Sequence, residues 1–474
     1  MDKFDDHFNN YVKYINKIKK DKMYRLTKRL FYLTHTKGPH MDFYNNPLGF
    51  NGSNLEKKIT KLRSKIIKAM ICVIQCERRH VYVNKRIVEI IIEQLEMCID
   101  NKGYWLRYGF NEYQVSRIQL NYQMLIIFYK EYLLRARKSN GIEGIGSTEN
   151  RDKLYKYLLK LNTSLDLDPA ELQIFAFRNL TSNVRKYGEL MNINELRDIT
   201  INIDNMHNST FMNLMINERV TGTSINSEHE LLAESKKILI EHHQNSKQLF
   251  DDTIKMPNIT KVTVKAIPSL ISKWSSKGRA NKNTIYINTD KYSSYKKEIL
   301  PRLLAHEGIP GHLLERSNQC KIIKDMDINK KIKPIVMRGI KMLKEGWAVH
   351  SESILLKDTM DNRRSLLLNR IYYDVRTIMD VGLNYSKGQR ISMNAAFDFV
   401  KNFTGLTDDS ITAEIHKCIG NPSTACSYMM GAIYIDNLVE AAFRNGLDTK
   451  TIYSRIITSP LNAQELYKFI TNLK

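Results

Sequence analysis

Helix-breaking residues are scarce in this chain. Only 10 prolines and 21 glycines occur among 474 residues, and the long stretches between them repeat apolar residues at the spacing of amphipathic helices. A sheet-rich fold would need many more turns, and therefore more of both residues. Since 42% of the residues are hydrophobic, the chain can also bury a core. We predict a mostly α-helical fold.

Two loop-like segments suggest how the chain is divided. Residues 35–54 and 138–152 are rich in Gly, Asn and Ser, a composition typical of loops. A chain of 474 residues is too long for one small core. We therefore predict an N-terminal helical subdomain at 1–150, a middle helical region at 151–257 and a third region at 258–474, which together form one cleft.

Two short segments depart from the helical pattern. Residues 261–267 (KVTVKAI) and 283–289 (NTIYINT) alternate in polarity with period two and contain β-branched residues, as strands do. The segment between them, SSKGRANKN, is turn-like. We predict a β-hairpin or a small sheet edge here, directly ahead of the strongest motif in the chain.

The middle region contains a helix start and a long helix. Asp168 followed by Pro169 is typical of an N-cap with proline in the first turn. Residues 227–250 have the pattern of one long helix, which carries His242 and His243. Adjacent side chains point about 100° apart on a helix and do not chelate one metal well. We predict that both histidines are surface residues.

The formal net charge of +23 allows two interpretations. One is an acidic partner such as a nucleic acid; the other is a general enrichment in lysine and asparagine. The basic residues are spread along the chain, which favours the second interpretation. No helix-turn-helix, zinc-finger or RNA-binding sheet motif is present. Nucleic-acid binding is therefore disfavoured, although the charge keeps it open.

Nothing in the sequence indicates export or membrane insertion. The first 20 residues lack the apolar segment of a secretory signal, and the apolar stretches are short or interrupted by carboxylates. The six cysteines form no disulfide framework. We expect a cytoplasmic protein with reduced cysteines and no membrane partner.

The segment LLAHEGIPGHLLE, residues 303–315, has the composition of a hydrolytic zinc site. His306 and His312 supply two imidazoles, and Glu307 is a carboxylate that can take a proton from water. Their separation of six residues places the two histidines about 240° apart on an ideal helix. Pro310 and its neighbouring glycines break such a helix, so a deformed turn could bring His312 back. The alternative is that the two histidines lie at a helix break by chance and bind no metal.

A second segment, KMLKEGWAVHSESILL at 341–356, supplies carboxylates. Glu345 and Glu352 are seven residues apart, nearly two turns, and share one helix face. A carboxylate from a following helix is the usual third ligand beside two histidines, which assigns this role to Glu345. Glu352 could orient a ligand histidine through its other ring nitrogen. His350 is a rival ligand that points off this face.

These motifs resemble a known family. HEGIPGHLLE is similar to the HEAIPGHHLQ signature of the bacterial "domain of unknown function 885" proteins, which are regarded as zincin-like metallopeptidases. EGWAVHSES resembles their EGWALYAE segment. RTIMDVGLN (376–384) resembles R-x-x-x-D-x-GLH, and PSTACSYMMG (422–431) resembles PGQALSYxxG. Order and approximate spacing agree over residues 258–470, whereas the similarity before residue 200 is weak.

The resemblance implies a helical zincin-like cleft. It implies His306, His312 and Glu345 as metal ligands and Glu307 as general base. Tyr428 then becomes a hydrogen-bond donor to the oxyanion of the reaction.

Further positions follow from the same resemblance, and some depart from the family pattern. Arg376 and Asp380 match its Arg and Asp, and we expect a supporting ion pair between them. Asn384 replaces the histidine of the GLH segment and is a second candidate oxyanion donor. Leu313 and Glu315 replace a His and a Gln, and Lys417-Cys418 stands where an Arg-Tyr pair is usual. These departures spare the ligands and the base but affect the expected substrate shell.

We therefore predict a metal-dependent hydrolase whose catalytic, metal-binding region is 258–474. One zinc ion per chain is expected, although other divalent metals suit the same ligands. The expected substrates are amide bonds of short peptides or peptide-derived metabolites. Basic groups near the site could hold a substrate carboxylate, but the sequence does not indicate which. Alternatives are a tailoring hydrolase acting on a non-peptide or carrier-bound amino acid, a non-catalytic binding protein of the same fold, and a basic nucleic-acid-binding protein.

Overall fold

The computed structural model describes residues 2–35, 41, 55–107, 109–136, 148–206, 209–220, 222–273, 275, 277–325 and 333–472. The predicted loops at 35–54 and 138–152 lie mostly outside these residues.

The described chain is mostly helical, as predicted. Its first half contains the helices α1 Asp2–Lys20, α2 Lys22–Leu30, α3 Leu55–Glu77, α4 Lys85–Asp100, α5 Lys102–Arg107, α6 Glu112–Ala136, α7 Thr148–Thr163, α8 Pro169–Met191, α9 Ser209–Val220 and α10 Glu228–Ser246. Its second half contains α11 Ser269–Ser272, α12 Leu300–Glu307, α13 His312–Asp325, α14 Lys333–Gly339, α15 Lys341–Ile354, α16 Met360–Asn384, α17 Met393–Thr404, α18 Asp408–Gly420, α19 Cys426–Arg444, α20 Thr449–Thr458 and α21 Ala463–Thr471. Among these residues, no helix combines the length and apolarity needed to cross a bilayer.

Helix α8 begins where its capping sequence predicts. The Asp168 carboxylate accepts hydrogen bonds from the backbone N–H groups of Ala170 and Glu171, and Pro169 occupies the first turn. These bonds satisfy two of the donors that every helix start leaves free. The long helix predicted at 227–250 is α10, which is followed by a 3₁₀ turn at Lys247–Leu249.

The strands form a three-stranded sheet that differs from the predicted hairpin. Strand β3 (Thr284–Ile287) lies in the centre, parallel to β1 (Thr263–Ala266) and antiparallel to β2 (Gly278–Asn281). The two predicted strands are therefore parallel neighbours, and the hairpin joins β2 to β3. Strand β2 was missed because Gly-Arg-Ala-Asn shows no alternation of apolar and polar residues. Lys282, in the left-handed backbone region at φ 53°, closes the turn.

The core is continuous over most of the chain. One hydrophobic cluster includes Ile90, Leu180 and Ile378, so all three predicted regions contribute to it. A second cluster contains both Ile285 of the sheet and Leu304 of α12. These contacts fix α12 between the sheet and the helices that follow. The predicted domain boundaries stay predictions.

Helices α15 and α19 cross at unusually close range. A Cβ atom added to Gly346 would lie 2.2 Å from the carbonyl oxygen of Gly431, and one added to Gly431 would lie 2.2 Å from the carbonyl oxygen of Met342. Only glycine permits two backbones to approach in this way. The crossing places Glu345, the neighbour of Gly346, beside the N-terminal turns of α19.

The crossing predicts a difference between two glycine substitutions. Gly431→Ala should lower the free energy of unfolding by about 1–3 kcal/mol or more, because its methyl group meets backbone that cannot rotate away. Gly103→Ala on α5 meets no atom within 4 Å and should be neutral or stabilise by up to about 1 kcal/mol. Thermal melts of both variants against the parent protein test this. Equal melting temperatures for the two variants would contradict the close crossing.

Candidate metal centre

The chain reverses direction between α12 and α13. Helix α12 ends at Glu307, and α13 begins at His312. The backbone N–H of Gly311 donates to the carbonyl of Ala305 across 2.9 Å. A Cβ atom on Gly311 would lie 2.1 Å from the carbonyl oxygen of His306, so the turn requires glycine. The predicted helix break is thus present, and it brings the two imidazole centroids to 4.9 Å.

Three side chains from other parts of the fold hold this turn. The Trp347 indole N–H donates to the carbonyl of Pro310 at 2.9 Å, and the Ser351 hydroxyl donates to that of Ala305 at 3.1 Å. His242 hydrogen-bonds the backbone of Ile309, and burial lowers the pKa of its ring to about 4. The prediction that His242 lies at the surface was therefore wrong. The buried Ile238 and Leu239 one turn earlier were the available signal, because they mark the inner face of α10.

His306, His312 and Glu345 converge. Glu345 Oε2 lies 3.9 Å from His306 Nε2 and 3.4 Å from His312 Nε2. One potential ligand atom from each residue lies within 4.8 Å of the other two. Oε2 of Glu345 is buried and makes no well-oriented hydrogen bond within the described chain. Two imidazoles and a carboxylate, one of whose oxygens is buried without a well-oriented hydrogen bond, fit a divalent cation such as zinc.

His312 and Glu345 stabilise each other in the charged form. Burial alone would lower the pKa of His312, but the nearby carboxylates of Glu315 and Glu345 outweigh burial and raise it to about 10. Burial alone would raise the pKa of Glu345, but His312 outweighs burial and lowers it to about 2. Glu345 is therefore an anion at neutral pH, which is the form that binds metal, whereas His312 must release its proton to bind one.

Glu352 determines the orientation of His306. Its carboxylate lies 2.8 Å from His306 Nδ1 and accepts a hydrogen bond from the Tyr373 hydroxyl at 2.9 Å. Asn369 also donates to it, and Arg302 lies 3.3 Å away. Holding Nδ1 in this way leaves Nε2 as the free ligand atom, the arrangement expected of a histidine that binds metal.

Glu307 lies at the edge of the sheet. A Cβ atom on Gly278 of β2 would be 3.3 Å from Cγ of Glu307. Within the described residues, the Glu307 carboxylate has no hydrogen-bond or ion-pair partner. Its charge nevertheless acts on His312 and Tyr428, since it contributes to raising the pKa of both. A carboxylate that is near the ligands but engaged by nothing else is suited to exchange protons.

Tyr428 lies beside His306. Its ring lies parallel to that of His306, with centroids 6.3 Å apart, and stacks on Tyr373 at 5.4 Å. The Arg376 guanidinium lies 4.6 Å from the ring centre. Burial and the charge of Glu345 raise the pKa of Tyr428 well above its usual value. The hydroxyl stays protonated at neutral pH and can donate.

Arg376 does not pair with Asp380. Its guanidinium meets Glu414 of α18 at 3.0 Å, and Lys417 meets the same carboxylate at 2.6 Å. Both members of the Arg376–Glu414 pair are buried. The predicted pairing was wrong because it considered only neighbours on one helix, whereas Glu414 comes from another. Glu414 carried no signal in the sequence.

Asp380 and Asn384 support the backbone at a distance from the ligands. Asp380 accepts the backbone N–H groups of Ser423 and Ala425 at 2.8 and 3.1 Å, just before α19 begins. The Asn384 side-chain amide donates to the carbonyls of Asp380 and Cys418. Asn384 follows Tyr373 by eleven residues on α16, which is about 16 Å along the axis. We therefore withdraw Asn384 as an oxyanion donor.

His350 is engaged elsewhere. Its ring nitrogens lie 2.7 Å from Asp436 Oδ1 and 3.2 Å from the Tyr453 hydroxyl. The described structure thus separates this rival from the ligand cluster.

Leu313, one of the departures from the family pattern, is buried in the apolar cluster around α12, and Glu315 lies 3.8 Å from His312 Nδ1.

The sequence from residue 75 to 451 matches the model of a family described as "Bacterial protein of unknown function (DUF885)". The chain belongs to this family. This confirms the resemblance drawn from the motifs. No curated protein matches the chain significantly.

Two solved structures share the fold. One is described as "the putative lipoprotein from Colwellia psychrerythraea", with a TM-score of 0.75, 15% identity and coverage of 93% of this chain and 80% of that chain. The other is described as a putative lipoprotein of unknown function from Shewanella oneidensis, with a TM-score of 0.61, 13% identity and coverage of 96% and 89%. At these identities the likeness concerns the fold alone. The cytoplasmic location of our chain stays a prediction.

The buried Arg376–Glu414 pair predicts a strong energetic coupling. Glu414→Gln alone should cost about 3–5 kcal/mol, because it leaves the buried Arg376 charge without its carboxylate. Arg376→Met should cost less, because Lys417 still neutralises Glu414. The double variant should lose less than the sum. The neighbouring cations hold the pKa of Glu414 at about 2, so the coupling is present at pH 7 and declines as the pH falls below about 4.3. Urea unfolding of the four proteins measures it; additive losses at pH 7 would contradict the pair.

Proposed function

We propose that this protein is a metal-dependent hydrolase that cleaves amide bonds of short peptides or peptide-derived metabolites, with zinc as its metal. The observation that carries the proposal is the convergence of ligand atoms from His306, His312 and Glu345 within 4.8 Å, beside the unengaged carboxylate of Glu307. Two histidines and a glutamate form the ligand set of many catalytic zinc sites.

Each group of the site then has a distinct task. A bound zinc ion supplies a Lewis acid, which makes water more acidic and a carbonyl more electrophilic. Glu307 takes the proton from the attacking water and passes it to the leaving amine. Tyr428 donates a hydrogen bond to the oxygen on which negative charge develops. Glu352 keeps His306 in the tautomer that presents Nε2.

The sheet offers a place for an extended substrate. Strand β3 lies in the centre of the sheet, so its backbone is already paired on both sides. The strand beside Glu307 is β2, which pairs with β3 alone among the described strands. An outer strand of this kind can hydrogen-bond a peptide backbone as an added strand. We propose that β2 aligns the substrate next to the catalytic carboxylate.

Metal content provides the first prediction from this assignment. Elemental analysis of the purified protein should find about one zinc per chain, held at a three-residue site of the catalytic type. His306→Ala and Glu345→Gln should lose it, whereas His350→Gln on the same helix as Glu345 should retain it. Glu352→Gln should weaken zinc binding by about 10–100-fold. Zinc retained in both ligand variants would place the metal elsewhere and refute the site.

Replacing the proposed base tests the chemistry separately from the metal. Glu307→Gln keeps the size of the side chain but cannot take a proton, so turnover should fall by about 10²–10⁴-fold while zinc binding persists. The assay is hydrolysis of a library of short peptides followed by mass spectrometry. Unchanged turnover in this variant would exclude Glu307 as the base.

A further inference from the structure

Arg279 lies on β2, the strand beside Glu307. Its register partner on β3 is Tyr286, and register partners project to the same face of a sheet. The Arg279 guanidinium carbon lies 5.0 Å from the centre of the Tyr286 ring. Ile285 and Ile287 project to the opposite face and are buried in the apolar cluster around α12. The stacking contact therefore holds the guanidinium in a defined position on the other face.

The donors of Arg279 are not used within the described chain. Its Nε atom is buried and has no hydrogen-bond partner, and no carboxylate lies within ion-pair distance of its guanidinium. The other arginines at the site are paired, Arg302 with Glu352 at 3.3 Å and Arg376 with Glu414 at 3.0 Å. A guanidinium is always charged and carries five donors. Leaving it partly buried without an anion is unfavourable, so this position is suited to an anionic ligand.

The carboxylate that affects the pKa of Arg279 is Glu307. Burial lowers the pKa of Arg279, and the charges of Tyr286 and Glu307 oppose that effect. Glu307 is nevertheless not in contact with the guanidinium. Glu307 approaches β2 at Gly278, the residue before Arg279. Arg279 is therefore next to the catalytic carboxylate along the strand but projects to the opposite face, with its donors available to a third group.

The length of β2 indicates which anion of a peptide can reach Arg279. The strand has only four residues, Gly278–Asn281, so it can align only a short stretch of substrate. The proposed substrates are short peptides, so a substrate paired with this strand has its own end within a few residues of the bond beside Glu307. The anion at that end is the C-terminal carboxylate, whose two oxygens match the guanidinium fork.

We propose that Arg279 binds the C-terminal carboxylate of the substrate, so that the enzyme acts on short peptides with a free carboxyl end. This inference rests on the proposed hydrolase function and adds a substrate class to it. Arg279 is then the residue that determines this specificity.

Binding without turnover provides the test. The zinc-loaded Glu307→Gln protein is titrated calorimetrically with one short apolar peptide, either as the free acid or as its C-terminal amide. The acid should bind roughly 10–100-fold more tightly, as expected for a charge-assisted bidentate contact. Adding Arg279→Met should abolish the difference, and Arg279→Lys should restore only part of it. Lys265→Met is the matched control, because it removes an exposed cation opposite Tyr286 on β1 and should preserve the preference.

The possible results separate this inference from the hydrolase proposal. Equal binding of acid and amide by the Arg279-containing protein overturns the inference, even if both peptides are hydrolysed by the parent enzyme. If Arg279→Met in the Glu307-containing enzyme slows both peptides equally, Arg279 only positions Glu307, which also overturns it. A C-terminally amidated peptide that contains a glutamate provides a further comparison. If it binds as tightly as the free acid, a side-chain carboxylate serves equally well, and the C-terminal assignment is overturned. Loss of zinc or of all hydrolysis in the parent protein instead refutes the proposed function.

Discussion

The site depends on the reversal of the chain between α12 and α13. His312 follows His306 by six positions, and on a continuous helix their side chains would diverge. Pro310 cannot continue the helix, and Gly311 fits where any side chain would meet the carbonyl oxygen of His306. Hydrogen bonds from Trp347 and other neighbours then fix the turn. A local backbone constraint thus produces the pair of imidazoles.

A second constraint supplies the carboxylates. Glu345 and Glu352 lie seven residues apart on α15, so one helix face delivers both to the turn. Glu345 faces the imidazoles, while Glu352 holds His306 from its other nitrogen at 2.8 Å. The glycine-mediated crossing of α15 and α19 brings Tyr428 to the same place. Every group in the proposed mechanism is therefore held by a helix or by a turn that helices enclose.

The sequence predicted what depends on local pattern and missed what depends on tertiary packing. The helical content, the break at Pro310 and the shared face of the carboxylates follow from spacing and backbone chemistry. The partner of Arg376 could not be predicted, because Glu414 approaches from another helix. Asn384 was misplaced for a related reason: similarity to a motif does not show how far along a helix the site extends. The strand β2 has no periodic signature, and its position was therefore visible only in the assembled sheet.

The account depends on zinc being bound by His306, His312 and Glu345. X-ray absorption spectroscopy of the zinc-loaded protein tests this directly, because the fine structure reports the atoms bonded to the metal. We predict imidazole nitrogen and carboxylate oxygen at about 2.0–2.2 Å. Sulfur at about 2.3 Å would show that cysteines bind the metal. That result would contradict the assignment of this site.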